Sequence, residues 1–429
     1  MGVGETGYGI KRVGTTVVVA GVLLIAFWCV YHFANVFYDR IFPPATKGMT
    51  QITSSQPLQS SSLDTLSPEV SGAAGSSSKQ PSVPAAAGLS GIFQSYETAA
   101  QKKLSRMSLK EKVGQVFLFE CPQSGAVKVI DDYQPGGYCL SGKTFQGKTA
   151  AQVKESLKAY QNSSRTPMIL CCDEEGGTVV RISGNRLLSP SKFLSPSDVF
   201  SKGGYDAVRD DSLKKAKLLA SLGVNCNLAP VCDLSTDPNA FMYKRSFGKS
   251  AEDTAKFVTV SVHAYQEKKI GCVLKHFPGY GNTADTHTAV ARDSRSFQTF
   301  QKADFLPFEA GMKAGAACVM VSHCIVECMD AEHPASLSPQ VHDILREKLG
   351  FSGVIMTDSL SMGAIADYAK GENPVVEAFQ AGNDFLLTSD ISASYKALYK
   401  AVQSGKISQK RLDQSVLRII AWKMELGLL

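Results

Sequence analysis

From Gly91 onward the chain repeats one unit, a short apolar run followed by a longer amphipathic stretch. The runs are VGQVFLFE, GGYCLSG, PMILCCDEE, VNCNLAPVCDL, IGCVLKHF, AACVMVSH, GVIMTDSL and GNDFLLTS. Helix-like segments stand between most of them, among them AAQVKESLKAYQN, DDSLKKAKLLASLG, AEDTAKFVTVSVHAYQEKK and SPQVHDILREKLG, the last opening on a Ser cap and closing at Gly350. Eight strands alternating with helices over this length predict an α/β fold, a (β/α)8 TIM-type barrel in a single catalytic domain, with a doubly wound open sheet as the fallback. A barrel places its chemistry at the C-terminal ends of the strands. Polar residues collect there: Asp173 and Glu174 after the third run, Asp233 after the fourth, Lys275 and His276 in the fifth, His323 after the sixth and Asp358 after the seventh. Charges directly behind MILCC and VIMT are costly unless partnered, so these residues are expected to converge on one polar pocket.

The N-terminal quarter is built differently. Val13 to Tyr31 carries no charged residue and is long enough to cross a bilayer as a helix, with Lys11 and Arg12 before it. No small-residue cleavage site closes the run, so an uncleaved anchor is expected in place of a signal peptide. The predicted organisation is a cytoplasmic tail over 1–12, a transmembrane anchor over 13–37, a disordered Ser/Pro/Ala-rich linker over 38–90, and a catalytic domain over 91–429. That places a single-pass protein in the cell membrane with its catalytic domain, expected to be monomeric, on the extracytoplasmic side.

Composition narrows the chemistry. Of 429 residues, 44% are hydrophobic and 20% charged, which is ordinary for a globular chain. A net charge of +6 without Lys/Arg clusters interleaved with aromatics argues against nucleic acid as a partner. Cys171, Cys172, Cys232, Cys272 and Cys318 lie within apolar runs, and no CxxC pair exists, so mostly free, buried thiols are expected.

Two motifs invite other readings. GYCLSGKT, Gly137 to Thr144, satisfies the phosphate-loop pattern, yet Gly147 would interrupt the first turn of the helix that such a loop must enter. His276, His287, His323 and Asp358 could ligate zinc, but no H-x-H or H-E-x-x-H pair is present. In VLKHFPGYGNTADTHTAV, Val273 to Val290, Asp285 stands two residues before His287. That spacing suits a carboxylate that orients and charges an imidazole better than one that shares a metal with it.

Taken together, DEEGGTVVRI, RSFG, KHFPGYG followed by DTH, PASLSP, GVIMTDSLSMGAI and AGNDFLL resemble the glycoside hydrolase family 3 β-N-acetylhexosaminidases of the NagZ type, from about Met107 to the C-terminus. The resemblance implies a (β/α)8 barrel and a retaining exo-β-N-acetylglucosaminidase acting without metal or cofactor on a terminal β-linked N-acetylglucosamine, with peptidoglycan fragments such as muropeptides as the expected carbohydrate substrate. It implies Asp358 as nucleophile and His287 with Asp285 as the acid/base pair. Asp173, Arg181, Arg245, Lys275 and His276 match the family's sugar-binding residues. A phosphorylase or a β-glucosidase on the same barrel is the alternative. The chain departs from that pattern at Tyr280, where the family usually has His.

Overall fold

The computed structural model describes residues 88–429, apart from 284, 285, 287–289 and 370–372. Each of the eight apolar runs contains a strand: β1 (Phe117–Glu120), β2 (Gly137–Cys139), β3 (Ile169–Cys172), β4 (Cys226–Asn227), β5 (Gly271–Phe277), β6 (Cys318–Val321), β7 (Val354–Thr357) and β8 (Leu386–Thr388). All neighbours pair in parallel in the order β8-β1-β2-β3-β4-β5-β6-β7. A bridge between Met356 and Phe385 joins β7 to β8 and brings the sheet round on itself. This is the eight-stranded barrel that the alternation predicts. Helices cover the outside, so most strands are buried along their whole length and read as continuous apolar runs.

The predicted helices form with local differences. Ala150–Ser163 starts on a capping box in which the Thr149 hydroxyl accepts from the Gln152 N–H. The segment beginning at Asp210 is the second half of a longer element, Pro196–Leu222, kinked at Gly203 and Gly204. SPQVHDILREKLG is a short α-helix, Pro339–Asp343, that widens into a π-turn over Ile344–Lys348, with Gly350 in the left-handed region. Helix Phe305–Lys313 lies so close to β5 that a Cβ on Gly311 would come within 2.6 Å of Leu274 and 2.9 Å of Val258.

In the phosphate-loop lookalike, Gly137–Cys139 is β2 itself, and the helix that follows is a single turn, Gly142–Phe145, ended before Gly147 at φ +70°. The ten described cysteines are free thiols; eight are buried, Cys139 is partly so and Cys328 is exposed. Leu89, placed in the linker by the sequence reading, packs into the core. The anchor expected over 13–37 and the linker up to residue 87 lie outside the described residues. No helix among the described residues is long and apolar enough to cross a membrane.

The β7–β8 seam is the thinnest part of the barrel, one bridge where β6 and β7 share four residue pairs. Asp384 reinforces it from the N-terminal end of β8. Its carboxylate accepts from the Ile355 N–H of β7 at 3.1 Å, from Arg346 at 2.5 Å, and from Ser415 and Arg418 of the last helix at 2.6 and 3.0 Å. Burial pushes this carboxyl up, and the charges of Arg418, Arg346 and Arg411 outweigh it and hold it at about 2. A carboxylate with a depressed pKa contributes stability above its ordinary pKa near 3.9 and loses it as pH falls towards 2. Asp384→Asn leaves three guanidinium groups without their anion and is expected to cost about 3–5 kcal/mol, read as a lower urea midpoint at pH 7. An unchanged midpoint would show that backbone pairing alone closes the seam.

Candidate active site

Side chains at the C-terminal ends of the strands surround a cavity of about 880 Å³. Asp173, Arg181, Arg245, Lys275, His276 and Asp358 all line it. These are six of the eight site residues that the family resemblance implies; of the strand-end residues expected to join them, Glu174, Asp233 and His323 are not in the lining. The other two of the eight, Asp285 and His287, lie outside the described residues.

Lys275 is the centre of the charge network. It emerges from β5 fully buried, and its ammonium meets Asp173 Oδ1 and Glu175 Oε1, each at 2.7 Å. Glu175 also holds Arg245 in a two-point grip, 2.7 Å from Nη2 and 3.0 Å from Nε, while Asp173 accepts from Arg181 at 3.2 Å. Burial disfavours the Lys275 charge, but Asp173 and Glu175 overcome it and raise its pKa. Burial likewise pushes Glu175 up, and Lys275 and Arg245 hold it well below the usual carboxylate range.

His276 is fixed from behind. Asp233, fully buried, accepts from its ring Nδ1 at 2.7 Å and its backbone N–H at 3.1 Å. A carboxylate can only accept there, so Nδ1 carries the hydrogen and Nε2, 3.4 Å from Arg245 Nη2, is left as the acceptor. The peptide between Lys275 and His276 is cis.

Asp358 follows β7, with its backbone N–H bonded to Val321 O at 3.0 Å and one carboxylate oxygen accepting from the Ser359 N–H at 2.8 Å. Burial would raise this carboxyl, but His276, His323, the Ser359 N–H and Lys275 together hold it below the ordinary range. It is therefore ionised at neutral pH and free to act as a nucleophile. His323 cannot serve as the metal ligand that its position suggests, because Nδ1 meets Ser336 Oγ at 2.7 Å and Nε2 meets Ser359 O at 2.9 Å.

Sequence reasoning missed Glu175, Glu120 and the work of Asp233. Glu174 faces away from the cavity: it is fully buried and accepts from the N–H groups of Arg181, Ile182 and Ser183 and from the Ser183 hydroxyl. The alternation that turns Glu174 away turns Asp173 and Glu175 together, which the acidic triplet read at period two would have indicated. Glu120, at the end of β1, lines the cavity and accepts from the Ser359 hydroxyl at 2.8 Å, a partnership 239 residues apart with no local signal.

Residues 108–422 match the N-terminal domain of glycosyl hydrolase family 3. The chain belongs to that family. It is 29% identical over 385 residues to β-hexosaminidase A of Pseudoalteromonas piscicida, covering 79% of this chain and 64% of that one. A β-hexosaminidase of Xanthomonas campestris pv. campestris is 32% identical over 254 residues, covering 58% of this chain and 76% of its own length. Among solved structures, a family 3 β-N-acetylglucosaminidase from Paenibacillus sp. FPU-7 superposes with a TM-score of 0.70 at 29% identity, covering 75% of this chain and 63% of that one. This family 3 chain thus spans just under two thirds of the Pseudoalteromonas and Paenibacillus proteins.

Glu175→Gln leaves Lys275 and Arg245 facing Asp173 as the one remaining anion of the cluster and is expected to destabilise the fold by about 3–5 kcal/mol at pH 7. Because the Glu175 pKa is depressed, its contribution is present above about pH 4.3 and fades below it, so the variant should also lose that part of the acid-side decline in stability. Urea unfolding of both proteins from pH 7 to 3 measures this. Parallel curves would show that the cluster is held by packing and not by charge.

Proposed function

We propose that the chain is a retaining exo-β-N-acetylglucosaminidase that removes terminal β-linked N-acetylglucosamine, with peptidoglycan fragments as its substrate. The observation that carries this is the ionised Asp358, which lines one cavity with Asp173, Lys275 and Arg245, the last two held by Glu175. An anionic nucleophile beside a fixed array of donors and acceptors suits a neutral sugar, whose hydroxyls exchange hydrogen bonds with both kinds of partner. The names of the relatives favour N-acetylglucosamine as that sugar. The peptidoglycan source is read from the family resemblance, together with an anchor over 13–37 and a linker that would hold the domain outside the cell.

Two steps follow. In the first, Asp358 attacks the anomeric carbon while the glycosidic C–O bond breaks, and the leaving oxygen takes a proton from the Asp285–His287 pair. In the second, water attacks the glycosyl–Asp358 ester, giving up its proton to the same pair and freeing the carboxylate. An imidazole with a pKa near neutral can work in both directions, with Asp285 stabilising its charged form. Lys275, Arg245, Arg181, His276 and Asp173 would grip the hydroxyls and turn the anomeric carbon towards Asp358.

A 5-fluoro N-acetylglucosaminide with a good leaving group should add one glycosyl mass to the peptide containing Asp358, since the intermediate then forms faster than it is hydrolysed. Label on Asp173, or no label in an active preparation, overturns the assignment. Turnover of the same sugar with phosphate present should yield free sugar; accumulation of a sugar phosphate would make the protein a phosphorylase. Protease added to intact cells should release a fragment near the size of residues 91–429, and complete protection would place the domain inside.

A further inference from the structure

PASLSP, Pro334 to Pro339, and AGNDFLL, Ala381 to Leu387, supply none of the site residues that the family resemblance implies. In the structure the two meet: Asn383 Nδ2 donates to the Ser336 carbonyl at 2.7 Å. Ala335 and Ser336 in turn donate their backbone N–H groups to Cys324 O and Ser322 O, each at 2.9 Å, so PASLSP lies along the segment after β6, bonded on either side of His323. His323, Ser336 and Asn383 are all fully buried.

From Ser336 the path runs to the residue beside Asp358. Ser336 Oγ meets His323 Nδ1 at 2.7 Å, and His323 Nε2 meets Ser359 O at 2.9 Å. A carbonyl can only accept, so Nε2 carries a hydrogen and donates it. Ser359 is thereby held from two sides: its carbonyl accepts from His323 and from the Met362 N–H at 3.0 Å, and its hydroxyl donates to Glu120 at the end of β1 at 2.8 Å. Its own N–H donates to Asp358 Oδ1 at 2.8 Å, the one hydrogen bond that the Asp358 carboxylate makes among the described residues. The orientation of that carboxylate is therefore set through Ser359.

We infer that His323 is a positioning residue for the nucleophile: with Ser336 behind it, it fixes Ser359, and through Ser359 it aims the Asp358 carboxylate. This rests on the reading of Asp358 as the nucleophile. Attack on a carbon requires a carboxylate oxygen held to within about 0.5 Å of its line of approach. The sugar itself is gripped by a separate network around Lys275. His323 therefore matters for the attack and not for holding the sugar.

The test uses the full chain and a nitrophenyl β-N-acetylglucosaminide, on which kcat/KM reads the steps up to the covalent intermediate, while the inhibition constant of free N-acetylglucosamine reads the grip on the sugar. A Gln side chain places its nitrogen near the position of Nε2 and an Asn side chain near that of Nδ1, so His323→Gln keeps the donor to Ser359 and His323→Asn keeps only the contact with Ser336. His323→Asn should lower kcat/KM about ten-fold, the size of one lost hydrogen bond. His323→Gln should lose no more than about three-fold, and both should hold the inhibition constant within about two-fold of the parent. Ser336→Ala, which leaves the imidazole in place without its rear partner, should lose about three- to five-fold. Parent rates in His323→Asn, equal losses in the Asn and Gln variants, or an inhibition constant that rises in step with the lost rate would overturn the inference. If either His323 variant shows no cooperative thermal transition, Ser336→Ala decides alone, and an unchanged kcat/KM there overturns it. Asp358→Ala is run beside them and should be inactive. An inactive Asp358→Ala with parent rates in His323→Asn sinks the positioning role alone, whereas activity in Asp358→Ala, or none in the parent, removes the functional reading and the inference together.

Discussion

A parallel sheet that closes on itself buries both faces of its strands, and the closure here depends on the seam between β7 and β8. There the Asp384 carboxylate binds the strand before it, the turn at Arg346 and the last helix through Ser415 and Arg418. Burial costs that anion dearly, and only convergent guanidinium groups repay it. Asp358 comes directly after β7, so the seam that completes the barrel also fixes the height at which the proposed nucleophile enters the cavity. The N-terminal face of the barrel carries cohesion and the C-terminal face carries the candidate active site, the division expected of this architecture.

At the mouth the same electrostatic logic is used for a different end. Lys275 is kept charged inside the barrel by Asp173 and Glu175, and buried Glu175 is in turn held ionised by Lys275 and Arg245. The mutual dependence makes the array rigid before any ligand arrives. Donors and acceptors held in place need no reorganisation when a ligand displaces water from them. Asp358 is the exception in having few direct partners: its charge is maintained largely by the field of its neighbours and one backbone N–H, which leaves a carboxylate oxygen available.

Thiols follow the opposite rule, because they are tolerated in the core by staying neutral. Burial pushes Cys121 up to about 11 and Cys324 to about 12. Neither forms a nucleophilic thiolate at neutral pH, and both pack as small apolar side chains. Eight thiols sealed this way make a core that does not depend on disulfides.

Periodicity and punctuation made the barrel legible. Eight apolar runs, the cap at Ser338 and the stop at Gly350 are local signals, and all have counterparts in the structure. The strand-end polar residues were legible for the same reason, since a charge next to VIMT or MILCC has nowhere to go except a shared pocket. Glu175, Glu120, Asp233 and Asp384 were not singled out as partners, because their roles depend on contacts 29 to 239 residues away in the chain. The sequence by itself determined the strands, their parallel order and that polar residues gather at the strand ends, because these follow from local pattern and from the cost of burying charge. Tertiary structure alone decided which carboxylate answers which cation, because closing the barrel sets those distances and no local preference encodes them.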